Sequence, residues 1–235
     1  MQMLNKIESP KITIDIVSDV VCPWCYVGKK RLEAALAELG NPDDIEINWH
    51  PFQLDPTIPE EGMDRKKYFI KKFGDEGRIR QMSEHLTQVG EEAGITFKLD
   101  EITEAINTFS LHKLLHQAGL EGFQSEAEEI LFKAYFTDAK DLKSMPVLVE
   151  LFAPFGWDEV KITGILADDA IGYQVRQEIN HFQQMGVSGV PFFILNNKYG
   201  LSGAQPAEVF VQALGTVRDE MIQARQGEVC GPEGC

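Results

Sequence analysis

Apolar and polar positions first order themselves in Ile12-Thr13-Ile14-Asp15-Ile16-Val17-Ser18, a β-branched run that predicts a buried strand. Residues 26–40 then follow a helical period that stops at Gly40. Asn41-Pro42-Asp43-Asp44 predicts a turn, and Ile45 to Phe52 alternates in the manner of a second strand. A strand, a crossover helix and a strand imply a right-handed parallel pair over residues 12–52. Pro56, Pro59 and Gly62 break the pattern, and from about residue 64 to 169 nearly everything has helical period. The predicted helical segments there are 64–73, 76–93, 108–118, 123–138, 146–154 and 158–167, the last with Asp158 as N-cap. A helix over about 170–185 ends at Gly186. Strand character returns at Pro191-Phe192-Phe193-Ile194-Leu195 and Lys198 to Ser202, with Asn196-Asn197 as a hairpin turn. A helix over about 206–224 follows, and residues 226–235 have no periodicity, the pattern of a flexible tail.

Where the first strand gives way to its helix stands Cys22-Pro23-Trp24-Cys25. Pro23 falls at the first helical position, where its missing N–H costs nothing. The Cys22 sulfur would then sit among unpaired backbone N–H groups at the positive end of the helix dipole, which favours a negative sulfur. Cys25 would lie one turn inside, placed to resolve a mixed disulfide. Half a zinc site and inert core filler are the competing readings, but no second close Cys/His set follows within the next hundred residues. An exposed nucleophile with a resolving thiol is the better expectation. Its chemistry calls for no cofactor.

The order β-α-β, helices, α-β-β-α is that of an α/β chain with a thioredoxin-like fold and an inserted all-helical domain. Residues 1–62 and 170–225 would form the first unit, residues 63–169 the insertion and residues 226–235 the tail. The ends of the insertion must lie close together, so it is expected to pack over the Cys22 face. Pro191 at the start of a strand cannot donate to the ladder, and X–Pro bonds are where cis peptides occur. In a thioredoxin-like fold a cis-proline opens this strand opposite the cysteine pair, which implies a cis Val190–Pro191 bond with Val190 beside the sulfur and available to an extended substrate, against a plain trans proline at an edge-strand start.

Composition narrows the partners. A formal charge of -15 argues against nucleic acid and anionic membrane surfaces. No apolar run reaches the length of a membrane span. Residues 1–10 lack the apolar stretch of a secretory signal, and 4 cysteines in 235 residues suit a reducing, cytoplasmic setting.

Taken together, Ser-Asp-x-x-Cys-Pro-Trp-Cys-Tyr-x-Gly (18–28), Asn107-Thr108, Ala134-Tyr135-Phe136, Gly-Val-x-Gly-Val-Pro-Phe-Phe (186–193) and Ser202-Gly203-Ala204-Gln205-Pro206 resemble the FrnE-like branch of the DsbA oxidoreductases. The resemblance covers about residues 12–215. It implies a thioredoxin fold with a helical insertion, disulfide oxidoreductase or isomerase activity, and a cytoplasmic bacterial home. It further implies thiol or disulfide substrates, with glutathione or a reductase as candidate partners. By position Cys22 carries over as nucleophile, Cys25 as resolving thiol and Pro191 as the cis-proline.

Kappa-class glutathione transferases and 2-hydroxychromene-2-carboxylate isomerases share the layout but carry serine at the first cysteine position. The Cys22–Cys25 pair speaks against that alternative. Asn107 nevertheless matches the position at which those relatives contact glutathione, against a plain reading as a helix-capping or turn asparagine. Trp24 is expected to lay an apolar plate beside the sulfur.

Other chemistry-bearing residues have blander readings. His112 and His116 are four apart on a predicted helix, and a solvated flank is expected of both rather than a metal site. Trp49, His50 and Phe52 are expected to pack between the two units. Cys230 and Cys235, in a Gly/Pro-rich hexapeptide, leave three readings open: an accessory redox pair, a soft-metal clasp through thiolates, or a pair without function.

Overall fold

In the computed structural model, which describes residues 11–229 and side chains to residue 224, a four-stranded mixed sheet has the order β2-β1-β5-β6. β1 (Ile12–Ser18) and β2 (Ile45–Pro51) are parallel, joined through α1 (Pro23–Glu38), with Ile12 opposite Ile45 and Ser18 opposite Pro51. β5 (Phe192–Leu195) runs antiparallel to β1, pairing Ile16 with Phe193, and β6 (Tyr199–Ser202) closes the sheet as its hairpin partner. Asn196 and Asn197 take φ values of 52° and 53°, the left-handed pair at the centre of a turn closed by the Lys198 N–H donating to the Leu195 carbonyl at 3.0 Å. This is the thioredoxin-like arrangement expected from the hydropathic pattern.

Strand alternation divides the apolar residues between two covered faces. Ile14, Ile16, Phe193 and Leu195 join a large core with Val27 and Leu32 of α1 and with Phe210 and Leu214 of α9 (Ala207–Val229). Val17, Ile194 and Phe52 form a smaller core with Phe182 of α8 (Asp169–Gln184). The large core continues without a break into the helices between β2 and α8, through Leu86, Leu114, Phe132, Phe152 and Ile162.

Those helices are α2 (Arg65–Phe73), α3 (Glu76–Glu92), α4 (Phe109–Leu120), α5 (Gln124–Phe132), α6 (Met145–Phe152) and α7 (Glu159–Ala167). Asp158 caps α7 by accepting the Lys161 N–H at 2.8 Å. Two features had no pattern to announce them. Met63–Asp64 (β3) and Glu104–Ala105 (β4) form a two-residue antiparallel ladder that gathers the base of α2, and two residues are too few to show a period. The expected continuous helix over 123–138 instead loosens to π geometry at Lys133–Thr137. Among the described residues no helix is long and apolar enough to cross a membrane.

The last helix corrects the tail. It continues to Val229, so residues 226–229 are helical. A long helix extends at little cost once nucleated, without needing an apolar stripe. Cys230 and Cys235 lie outside the described residues.

His50, at the end of β2, shows what holds α8 against the sheet. Its Nδ1 lies 2.6 Å from Glu178 of α8 and its Nε2 3.0 Å from Asp15 of β1. Burial opposes a charged ring, but the two carboxylates outweigh it and raise the His50 pKa to about 9. The native state therefore keeps a proton that the unfolded chain releases above about pH 6.5. Stability from this pair is complete below that pH and is lost as pH rises through about 9. One pKa unit is about 1.4 kcal/mol, so the contribution is about 3 kcal/mol. Urea midpoints of the wild type are expected to fall between pH 6.5 and 9.5 by clearly more than those of His50→Gln. Parallel curves for the two proteins would assign the proton uptake elsewhere.

Candidate active site

Cys22 is the N-cap of α1, with extended φ/ψ of -92° and 107°, and Pro23 opens the helix behind it. The turn is held by the Cys22 N–H donating to the Asp19 carbonyl at 2.9 Å and the Cys25 N–H donating to the Cys22 carbonyl at 3.0 Å. Both cysteines are free thiols. The expectation of an exposed nucleophile needs correction: Cys22 is only 4% exposed. α2, α3 and the chain after β2 roof it over, and it opens instead onto a cleft of about 370 Å³. Cys25 is wholly enclosed, and burial, reinforced by the neighbouring Cys22, pushes its thiol well up, against the pull of the Asp19 backbone and the Ser18 hydroxyl.

The other half of the site arrives from far along the chain. The Val190–Pro191 peptide is cis, as expected. The Cys22 thiol donates to the Val190 carbonyl at 3.5 Å, which joins the two motifs across 168 positions. Gly28 of α1 makes this approach possible, since a Cβ there would lie 3.0 Å from the Phe193 ring and 3.1 Å from Pro191. Arg31 of α1 donates to the Ala204 carbonyl at 2.6 Å, so the Ser202-Gly203-Ala204 segment is tied to the same helix.

Trp24 lines the cleft and meets the His85 ring of α3 at 5.9 Å, tilted by 49°. Asn107 is not brought to the sulfur. Its Nδ2 donates to the Ile58 carbonyl at 2.6 Å, and its Oδ1 accepts from Gln53 Nε2 and from the Phe109 N–H, each at 3.0 Å. Its neighbours Ile106 and Thr108 line the cleft while Asn107 itself does not. That geometry is the turn-asparagine reading, locking the start of α4 to the chain after β2.

His112 overturns the solvated flank. It is 2% exposed, and its Nε2 donates to the Phe52 carbonyl at 2.8 Å and faces Asp19 Oδ1 at 3.5 Å. Asp19 Oδ2 accepts the Leu54 N–H at 2.7 Å, and Glu128 of α5 lies buried beside the pair. Burial opposes charge on His112, but Asp19, Glu128 and the Phe52 carbonyl together raise its pKa. Burial raises Glu128 to about 8, only partly offset by His112 and Lys29. Behind the cysteine pair, then, stand the side chains of Asp19, His112 and Glu128, all three buried. Asp19 is legible as a lone acid at the end of an apolar strand, whereas His112 and Glu128 carry no local signal. His116, one turn further along the same flank and partly exposed, approaches Glu178 at 4.0 Å.

Comparisons with known proteins agree with this geometry. The DSBA-like thioredoxin domain family matches residues 13–215. A probable DsbA oxidoreductase of Streptomyces coelicolor is similar in structure, with a TM-score of 0.79, 34% identity, and coverage of 95% of this chain and 98% of that one. The cytosolic disulfide reductase DsbM of Pseudomonas aeruginosa, solved with GSH, shares the fold at 19% identity and a TM-score of 0.61, over 88% of this chain and 99% of its own. An uncharacterized Bacillus subtilis protein, YwbO, is 25% identical over 204 residues, which are 86% of this chain and 96% of that protein.

Proposed function

Because the chain belongs to the DsbA-like thioredoxin family, we propose that it is a thiol–disulfide oxidoreductase of the FrnE-like branch, acting through Cys22 and Cys25. The Cys22 thiolate attacks one sulfur of a substrate disulfide, forms a mixed disulfide, and releases the other half as a thiolate that takes a proton from water. Cys25, on losing its proton, attacks the Cys22 sulfur and releases the second half. The protein is left with a Cys22–Cys25 disulfide, having given two electrons to the substrate. A thiol donor or a reductase resets it, and the reverse sequence makes the protein an oxidant.

One observation carries the reading. Cys22 opens onto the cleft at a helix N-cap, while Cys25 sits directly behind it and away from solvent. The Val190 carbonyl, just before the cis bond to Pro191, meets the sulfur, and Trp24 lines the same cleft. In this reading residues 63–169 are the inserted unit that roofs the cleft, and residues 1–62 with 170–225 are the unit that carries the sulfurs. Glutathione and a protein reductase are the proposed partners and the cytoplasm the proposed setting, in keeping with the sparse cysteines. Cys230 and Cys235 are proposed as an accessory redox pair.

Differential alkylation tests the assignment. Limiting iodoacetamide on the reduced protein at neutral pH should modify Cys22 at least about a hundredfold faster than Cys25, because burial and a raised pKa both suppress the Cys25 thiolate. Faster labelling of Cys25, read by peptide mass spectrometry, would reverse the roles.

A further inference from the structure

The wall of the cleft is chemically lopsided. Most of it is hydrocarbon and aromatic ring, from Trp24, Ile58, Phe69, Leu86, Tyr135 and Val190 among others. Its acids are already engaged. Asp55 accepts from the Thr57 N–H, the Thr57 hydroxyl and the Tyr68 hydroxyl, and Asp19 accepts from Leu54 and faces His112. Lys72 donates to the Tyr68 hydroxyl at 2.7 Å and is coupled through it to Asp55.

Arg65 is the exception. It is half-buried at the first position of α2, and among the described residues no carboxylate lies within ion-pair distance of it, Asp100 and Tyr135 being the acidic groups close enough to be felt. Its Nη1 donates to the Leu99 carbonyl at 2.8 Å, and its guanidinium lies over the Phe69 ring at 4.3 Å. These two contacts hold the group at a defined place on the wall, yet leave its other N–H groups without a protein acceptor among the described residues. Keeping a cation partly desolvated without a counter-ion is costly, and burial does disfavour its charge. In a chain of net charge -15, a guanidinium in an apolar cleft with no carboxylate of the described residues at ion-pair distance calls for an anionic ligand. A guanidinium held flat over a ring suits a planar, bidentate anion, the geometry of a carboxylate.

The size of the cleft decides the rest. About 370 Å³ lies at the low end of small-ligand pockets, and helices α2 and α3 close over it. A substrate has to bring its sulfur to Cys22 inside that volume. We propose that the preferred substrate is a small disulfide with an apolar body and a carboxylate, the body filling the cleft and the carboxylate pairing with Arg65 while Cys22 attacks the sulfur. The proposal rests on the exchange reading above and narrows it, setting a small amphipathic disulfide against the more polar glutathione disulfide and against a protein loop.

Two aromatic disulfides separate the possibilities. 5,5′-Dithiobis(2-nitrobenzoate) carries a carboxylate on each ring, and 4,4′-dithiodipyridine carries none. Each rate of reaction with the reduced protein is divided by its rate with a free model thiol, which removes intrinsic reactivity. The normalised preference for the carboxylate probe is expected to fall about tenfold in Arg65→Gln, with the dithiodipyridine rate unchanged within twofold. Arg65→Lys should restore part of the loss. Lys66→Gln, which removes a charge of the same sign from the next residue, off the cleft, should change neither rate. Unchanged selectivity in Arg65→Gln would overturn the carboxylate assignment and leave the exchange reading standing. A rapid dithiodipyridine phase that survives in Cys22→Ser would instead overturn the exchange reading. A normalised rate for glutathione disulfide equal to that of the carboxylate aryl probe would remove the apolar requirement.

Discussion

Replacing Cys22 by serine is expected to lower catalysed disulfide exchange by at least about a thousandfold, to the level of the uncatalysed reaction. The reason lies in the geometry. Cys22 carries the sulfur that lines the cleft, whereas Cys25 is closed off and held in its thiol form by burial. Cys25→Ser has a different signature: the first attack survives, and mixed disulfides at Cys22 accumulate because nothing behind it resolves them. The pair of phenotypes is read in one experiment, reduction of a fluorescent mixed-disulfide substrate followed by mass analysis of the protein. A Cys25→Ser variant that turns over at the wild-type rate would show the second cysteine to be dispensable. The activity would then belong with the serine-bearing relatives that carry no disulfide pair.

His112→Leu is expected to cost about 3–5 kcal/mol, since it takes the donor from the buried Phe52 carbonyl and removes the imidazole 3.5 Å from the buried Asp19 carboxylate, whose Oδ1 already lacks a hydrogen-bond partner. The Leu54 N–H is then its remaining protein donor. Glu128→Gln should behave in the opposite way, and its sign depends on pH. A folded-state pKa of about 8 means that the native protein holds a proton which the unfolded chain loses above about pH 4.5. Glu128 therefore drains stability as pH rises from about 4.5 through 8, and the full cost is present above that. Glutamine never ionises, so the variant should match the wild type within about 1 kcal/mol at pH 5. At pH 9 it should exceed the wild type by about 1–3 kcal/mol. Urea midpoints at the two pH values check both statements, and a Glu128→Gln variant weakened at pH 9 would mean that the ionised acid is stabilising where it stands.

What was legible along the chain was local. The strand before Cys22, the proline at the first helical position and the cis bond at Pro191 each rest on a few adjacent residues. The hairpin at Asn196-Asn197 is of the same kind. Burial that depends on distant segments was not legible. His112 has a polar helical flank in sequence, but that flank meets the Phe52 carbonyl and Asp19, 60 and 93 positions away, and is sealed by them. Arg65 stands among Lys66 and Lys67 as one more basic residue, and only the Leu99 carbonyl and Phe69 ring single it out. The insertion was expected over the Cys22 face, but nothing near Cys22 in sequence announces how completely α2 and α3 cover its sulfur.

The pairing of β1 with β5 has a consequence for synthesis. Ile14 lies opposite Leu195 and Val17 opposite Phe192, so the central ladder joins strands separated by most of the chain. During translation Cys22 leaves the ribosome 168 positions ahead of Val190 and the strand that follows it. Contacts of such separation also form slowly once the chain is free. Until they form, the Cys22 thiol lacks its Val190 carbonyl acceptor. For that interval the nascent chain carries two thiols on its first βαβ unit without the partner strand that later covers them.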